Sequence, residues 1–326
     1  MITLQQIEAA RERLRGVTVQ TPLVRCFNFS AASAGQDDEE FYLKAESLQP
    51  VGSFKLRGAY NKIASLSADE RAHGVITHSS GNHAQGVAYA ARALGAHAVI
   101  VMPASAPKVK LEATRALGAE IVLVGDSGEE RHERALALAA EHGYAMIDPF
   151  DDEAIIAGQG TAGLEILEQL PDVELVLVPI GGGGISSGVS AAIKLSGSRA
   201  RVFGVEPQLA NDAQQSLKAG RIVRIAAEAA GATIADGLRV QSIGQQNLEH
   251  LMAYLDGVIA VSEDEIRQAT RQIINGARLI AEPSGAVTTA AWLYHRHELP
   301  ARRKTVALLS GGNADPKQIA ELLEER

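Results

Sequence analysis

The sequence predicts an α/β protein of two lobes, each a mostly parallel sheet flanked by helices. Three observations carry that prediction. Short apolar runs alternate with longer alanine-rich stretches in two separate sets, 31 glycines supply the turns, and the apolar run at 173–180 passes straight into four consecutive glycines. With 326 residues, 46% of them hydrophobic, the chain can bury one large core or two moderate ones.

Taken in order, Thr3-Leu4-Gln5-Gln6 fits a capping box, and Leu4, Ile7 and Leu14 recur at helical spacing, so an amphipathic helix should open the chain. Residues 42–45 read as a short strand. Runs at 75–77, 98–102, 121–124 and 145–147, separated by helical stretches, form a small parallel unit. Its helices are marked by Asn82, with Gly95 past the end, and by a capping box at Ser127-Gly128-Glu129-Glu130 that closes at His142-Gly143. Runs at 175–180, 202–205, 257–261 and 305–309 build a second sheet in a larger lobe. Glycine spacing and the acidic Asp151-Asp152-Glu153 between Pro149 and Gly163 suggest a crossover between lobes. The expected division is 52–148 for the small lobe and 1–51 with 149–326 for the large one, with no C-terminal regulatory domain. Parallel sheets take ligands at the carboxyl ends of their strands.

The net charge of −8 and the lack of a lysine or arginine run remove the electrostatic footprint of a nucleic-acid binder, so small molecules are the expected partners. No uninterrupted apolar stretch approaches the roughly eighteen residues of a membrane span. Polar and acidic residues stand where a signal peptide has its apolar core, and a cytoplasmic location is expected. Cys26 is alone, which leaves neither an intrachain disulfide nor a thiolate cluster. His73, His78, His97, His132, His142 and His250 lack metal-ligand spacing and read as structural, His295-Arg296-His297 as a solvated helix end, and Trp292 as a core or contact residue.

Gly181, Gly182, Gly183 and Gly184 stand between an apolar run and a helical stretch at 185–195. Their backbone N–H groups would point into a cavity at a positive helix end, which suits a phosphate dianion. A dinucleotide site, and with it a nicotinamide-dependent oxidoreductase, competes, because Glu206 stands where a ribose-binding acid belongs. Against it, Ser186 and Ser187 fall where G-x-G-x-x-G spacing needs a third glycine. Lys55 follows Phe54, lies between Gly52 and Gly58, and has Arg57 close by. Desolvation beside the ring and a neighbouring cation both disfavour the ammonium, leaving an amine that can attack an aldehyde or serve as a base. The alternative is a helix start in which Ser53 caps while Lys55 and Arg57 contact solvent.

Jointly, Ser53-Phe54-Lys55-Leu56-Arg57-Gly58, Ser79-Ser80-Gly81-Asn82-His83, Gly181 to Gly184 and Ser310-Gly311-Gly312-Asn313 resemble the fold-type II pyridoxal-phosphate enzymes, whose fold is that of tryptophan synthase beta. The nearest look is that of the serine/threonine dehydratases and serine racemases. The likeness runs from about Thr21 to Pro316 and takes in 157–161 and Ala235-Asp236-Gly237. It implies pyridoxal phosphate joined to Lys55, Phe54 against its ring, Asn82 at its phenolic oxygen, the four glycines on its phosphate, Gly237 beside it and Ser310 at its ring nitrogen. A hydroxyl at that nitrogen makes a weaker electron sink than an aspartate would. Ser79, Ser80, Gly81, Asn82 and His83 would receive the substrate carboxylate.

The implied reaction is α,β-elimination from L-threonine or L-serine to a 2-oxo acid and ammonia, with Lys55 taking the α-proton; a homodimer follows by the same analogy. Ser80 stands where the racemases keep their second acid/base, so an amino-acid racemase is an alternative. A 3-hydroxyaspartate dehydratase is another, since 125–130 and 282–286, which differ among such enzymes and would shape the β-substituent pocket, leave room for β-hydroxy acids bulkier or more acidic than threonine. The segment from Glu206 to Asp212 also resembles one in which two carboxylates and the Ala210 carbonyl hold a divalent cation. Oxygen ligands suit magnesium, calcium or manganese.

Overall fold

A computed structural model describes residues 1–27, 29, 39–79, 81–106, 108–125 and 127–324. The strands in chain order are β1 (Leu23–Arg25), β2 (Glu40–Ala45), β3 (Val75–His78), β4 (Ala98–Pro103), β5 (Glu120–Val124), β6 (Ala145–Met146), β7 (Leu175–Pro179), β8 (Arg201–Pro207), β9 (Gly257–Val261) and β10 (Lys304–Leu309). They form two sheets. One runs β1-β2-β10-β7-β8-β9 and is parallel except for β1, which pairs antiparallel with β2; the other runs β5-β4-β3-β6 and is wholly parallel. Helices cover both faces of each sheet, so central strands such as β4 and β7 are buried at every position and consist of unbroken apolar runs. Only β1 escapes the sequence reading. It is three residues long and partly exposed, too short for any periodicity.

One face of the larger sheet packs on helices Glu263–Gln272 and Pro283–Tyr294, where Trp292 stacks on Phe41 at 4.1 Å between ring centroids. The other packs on helices Glu153–Gln169 and Gly184–Leu195. Around the smaller sheet, helices Lys55–Ser65 and Asn82–Ala93 fill one face and Gly128–His142 the other. Each fully buried aliphatic side chain in these layers contributes about 1.5–3 kcal/mol relative to exposure, so packing rather than helix propensity fixes the helices.

The first helix, Leu4–Leu14, carries the full capping box at Thr3. The second expected box is half formed. The Ser127 side chain accepts the Glu130 N–H, but the Glu130 carboxylate turns to the Gly125 N–H at 3.2 Å. The glycine-spaced crossover is a 17-residue helix, Glu153–Gln169, capped by Asp152. A Cβ on Gly158 would lie 2.6 Å from the Arg57 carbonyl oxygen and 2.7 Å from the Gly58 Cα, so this helix meets the one that starts at Lys55 backbone to backbone. Among the described residues no helix is long and apolar enough to cross a membrane.

Candidate active site

The carboxyl ends of β10, β7 and β3 lead into Ser310, Gly181 and Ser79. The segment before Lys55 lies along the one after β10: Ser53 bridges Gly311, Phe54 N–H donates to the Ser310 carbonyl at 3.1 Å, and Gly312 N–H donates to the Gly52 carbonyl at 2.9 Å. This pairing holds Ser53 in the bridge and ends at Phe54, which turns helical and makes Lys55 the first helical residue. Ser53 therefore does not cap the helix; its hydroxyl is buried without a partner.

Lys55 Nζ donates to the Pro149 carbonyl at 2.7 Å and lies 5.3 Å from the centroid of the Phe54 ring. Burial pushes its ammonium down to about 8, and the Asp148 carboxylate opposes a further fall. Of the two causes expected from sequence, desolvation is present and the neighbouring cation is not. Arg57 points the other way, fully buried between Glu46 and Glu165 at 2.8 and 2.6 Å. Helical geometry explains the divergence, because residues two apart do not share a face. Glu165 also pairs with Lys44 at 2.6 Å, giving a buried set of two cations and two anions.

Gly183 has φ of +103°, and a Cβ there would come within 2.6 Å of the Asn247 Cβ; one on Gly182 would strike the Phe150 ring. Helix Gly184–Leu195 begins without a side-chain cap, so its first N–H groups face an anion site of the expected kind. The bend at 149–151 ties this turn to Lys55. The Asp151 carboxylate accepts the N–H groups of Gln245 and Gln246 at 3.0 and 2.9 Å, while the Asn247 amide donates to the Phe150 carbonyl at 3.0 Å. Sequence reasoning misses Asp148, Pro149, Phe150 and Asp151 as site residues, since Asp-Pro-Phe-Asp carries only a turn signal.

On the smaller sheet, Gly81 N–H reaches the Ser79 hydroxyl at 3.4 Å, and helix Asn82–Ala93 also begins without a side-chain cap. Ser80 lies outside the described residues. The Asn82 amide donates to Glu282 at 2.6 Å and accepts from Asn313 at 2.8 Å. Burial raises the Glu282 carboxyl to about 7, helped by Asp236 and opposed by the Asn82 hydrogen bond. His83 is buried with Nε2 3.1 Å from the Ile147 carbonyl, which can only accept, so Nε2 carries the proton and Nδ1 has no partner. Burial, then Lys55, lowers this imidazole to about 3. The ring is neutral and turned into its lobe, leaving the backbone N–H for a carboxylate. Gly237 N–H donates to the Ser284 hydroxyl at 2.8 Å, and Ser310 is buried at the end of β10.

Glu206 offers nothing to a ribose. Its carboxylate is buried and accepts the N–H groups of Ala213 and Gln214 at 3.1 and 2.8 Å, capping the helix Asp212–Ala219. The Asp212 Oδ2 is buried without a partner. Burial raises both carboxyls, Asp212 to about 7. Ala210 closes the single turn of 3₁₀ helix between them. Among the described residues, no group of three or more histidine, cysteine or acidic side chains is placed to hold a metal. A cation here would rest on two carboxylates, a carbonyl and water.

A desolvated amine, an uncapped helix start behind a glycine turn, and a serine at a strand end fit the aldehyde, the phosphate and the ring nitrogen of one cofactor. The class this defines is an enzyme that holds a phosphorylated aldehyde on a lysine. The chain belongs to the pyridoxal-phosphate dependent enzymes, whose family pattern matches residues 14–311. It is similar to an L-threonine ammonia-lyase of Thermotoga maritima, at 44% identity over 100% of this chain and 79% of the relative. An L-threo-3-hydroxyaspartate ammonia-lyase of Saccharomyces cerevisiae is 39% identical over 87% of this chain and 86% of the relative. The crystal structure of a threonine deaminase from T.th. superposes with a TM-score of 0.89 at 43% identity, over 96% of this chain and 99% of that one.

Proposed function

We infer that this chain is an ammonia-lyase that converts L-threonine or L-serine to the 2-oxo acid and ammonia. Pyridoxal phosphate, when bound, supplies the electron sink that labilises bonds at the amino acid's α-carbon. Lys55 would hold it through its amine, Phe54 would lie against the ring, Ser310 would meet the ring nitrogen, Asn82 the phenolic oxygen, and the turn from Gly181 to Gly184 the phosphate, with Gly237 alongside.

The remaining steps belong to the protein. Once the substrate's own amine has displaced it, Lys55 would be a desolvated amine whose burial favours the neutral form, able to take the substrate α-proton at Nζ. The Pro149 carbonyl fixes that nitrogen in place. Backbone N–H groups of Gly81, Asn82 and His83 would orient the substrate carboxylate at a positive helix end. Loss of the α-proton and the β-hydroxyl releases water; hydrolysis of the resulting enamine returns that water and yields the 2-oxo acid and ammonia.

The observation that carries this reading is the desolvated Lys55 amine, held beside the segment that also buttresses the glycine turn. A yellow protein fixed by borohydride at Lys55, releasing equimolar 2-oxo acid and ammonia from L-threonine, supports it; chiral inversion without release of oxo acid contradicts it and favours a racemase. The yeast relative favours a second reading, elimination from 3-hydroxyaspartate, which the same assay distinguishes by substrate. A divalent cation at Glu206, Asp212 and the Ala210 carbonyl, such as magnesium, would satisfy the unpartnered Asp212 oxygen and order the lobe. A cytoplasmic homodimer completes the reading, and sedimentation of the purified chain tests the oligomeric state.

A further inference from the structure

The two sheet lobes meet on two sides. On one, helix Lys55–Ser65 is laid on helix Glu153–Gln169, with Lys62 paired to Asp152 at 2.6 Å. Across the cleft, links among the described residues include the Asn82 amide with Glu282 and Asn313, and Lys110 with Asp236 at 2.7 Å. Lys110 sits on helix Lys108–Ala116, between β4 and β5 of the smaller sheet. Asp236 opens the 3₁₀ turn Asp236–Leu238; Ala235 just before it and Leu238 at its end belong to the core of the larger sheet.

The pair is connected inward. The second Asp236 oxygen is 3.4 Å from the Ser284 hydroxyl, which in turn accepts the Gly237 N–H at 2.8 Å. The Gly237 carbonyl lies against Gly181, 3.5 Å from where a Cβ would stand. The Glu282 carboxyl, which binds Asn82, is raised by burial and then by Asp236 and is lowered by Lys110, so these two links across the cleft share one field.

We propose that Lys110 is a positioning residue, whose ion pair with Asp236 docks the smaller lobe across the cleft and, through Ser284, sets Gly237 against the glycine turn. It touches no reacting atom. The pair is made with the cleft as it stands, and weakening it loosens the walls between which an amino-acid substrate binds, which makes its signature a change in KM rather than in kcat. The inference rests on the ammonia-lyase reading for its kinetic signature and on geometry alone for its structural one.

The pair is partly exposed, with side chains 26% and 38% accessible, so its strength is that of a surface ion pair. Lys110→Met in the full chain, carrying pyridoxal phosphate, should raise KM for L-threonine about 2–5-fold with kcat held within about twofold. Lys110→Arg should restore it, and salt at about 0.5 M should shrink the difference between wild type and Lys110→Met. Hydrogen exchange at Gly237 and Leu238 should quicken in Lys110→Met, in Arg-rescuable fashion, whether or not the protein turns over threonine. Unchanged exchange at Gly237 and an unchanged KM would overturn the proposal. So would a fall in kcat and melting temperature that Arg does not rescue, since that marks a merely structural lysine. If no amino acid is turned over, the lyase reading fails while the exchange data still decide the role of Lys110.

Discussion

Lys44 and Lys55 are both taken out of water, yet they are given different partners. Lys44 Nζ has three partners: the Thr21 carbonyl at 2.6 Å, Glu165 at 2.6 Å and Gln169 at 3.0 Å. Burial lowers its ammonium, and Glu165 and Glu46 offset only part of that fall. Lys55 has only a neutral carbonyl in hydrogen-bond reach and the field of Asp148 against burial, which lowers its ammonium to about 8. The difference teaches that burial alone does not make a lysine reactive. A lysine with compensating carboxylates is part of the scaffold, and one without them is poised to lose its proton.

The largest effect expected from breaking that contrast is on turnover. Lys55→Ala should cut 2-oxo acid formation by about a thousandfold or more, as loss of a nucleophile and base does, which stopped-time assays over hours can measure. The same change should raise the melting temperature at pH 7, because it removes a desolvated charge. The sign follows from linkage: the folded ammonium titrates near 8 and the unfolded one near 10.5. Between those values the unfolded chain holds more protons, so stability rises with pH there, and the gap to Lys55→Ala should narrow from pH 8 upward.

Next in size is the scaffold side of the contrast. Arg57→Met strands Glu46 and Glu165 with one cation between them, and should cost about 3–5 kcal/mol in denaturant unfolding while the folded fraction still binds cofactor at Lys55. Gly183→Ala should follow, since φ of +103° and the Asn247 Cβ both oppose a side chain. Cofactor affinity, measured by fluorescence titration, should fall about ten- to hundredfold. The smallest effect belongs to the second carboxylate pair. Chelator should lower the melting temperature by about 2–4 °C with the cofactor spectrum unchanged, and Asp212→Asn should abolish that response.

What could be read from sequence divides along the same line. β4 and β7 are legible because strands buried on both faces must be apolar throughout, and Lys55 because an aromatic ring and flanking glycines are local. The fate of Arg57 is not, because Glu46 and Glu165 come from a 3₁₀ turn and a distant helix that only the close approach at Gly158 brings together. The Pro149–Asp151 segment is silent for a similar reason: its work is done by a carbonyl and by caps on a helix starting at Gln245, far along the chain. Glu206 misleads because strand-end acids serve riboses, cations and helix N–H groups alike. Only the Ala213 and Gln214 hydrogen bonds exclude the first.

A desolvated Lys55 is tested most sharply by the pH dependence of cofactor capture. Purified apoprotein is mixed with pyridoxal phosphate and borohydride at a series of pH values, and the rate of labelling at Lys55 is read by peptide mass spectrometry, corrected with a free-lysine peptide. The buried amine predicts a rate that rises to a plateau with a midpoint near 8. A midpoint near 10.5, that of an ordinary lysine, would contradict it.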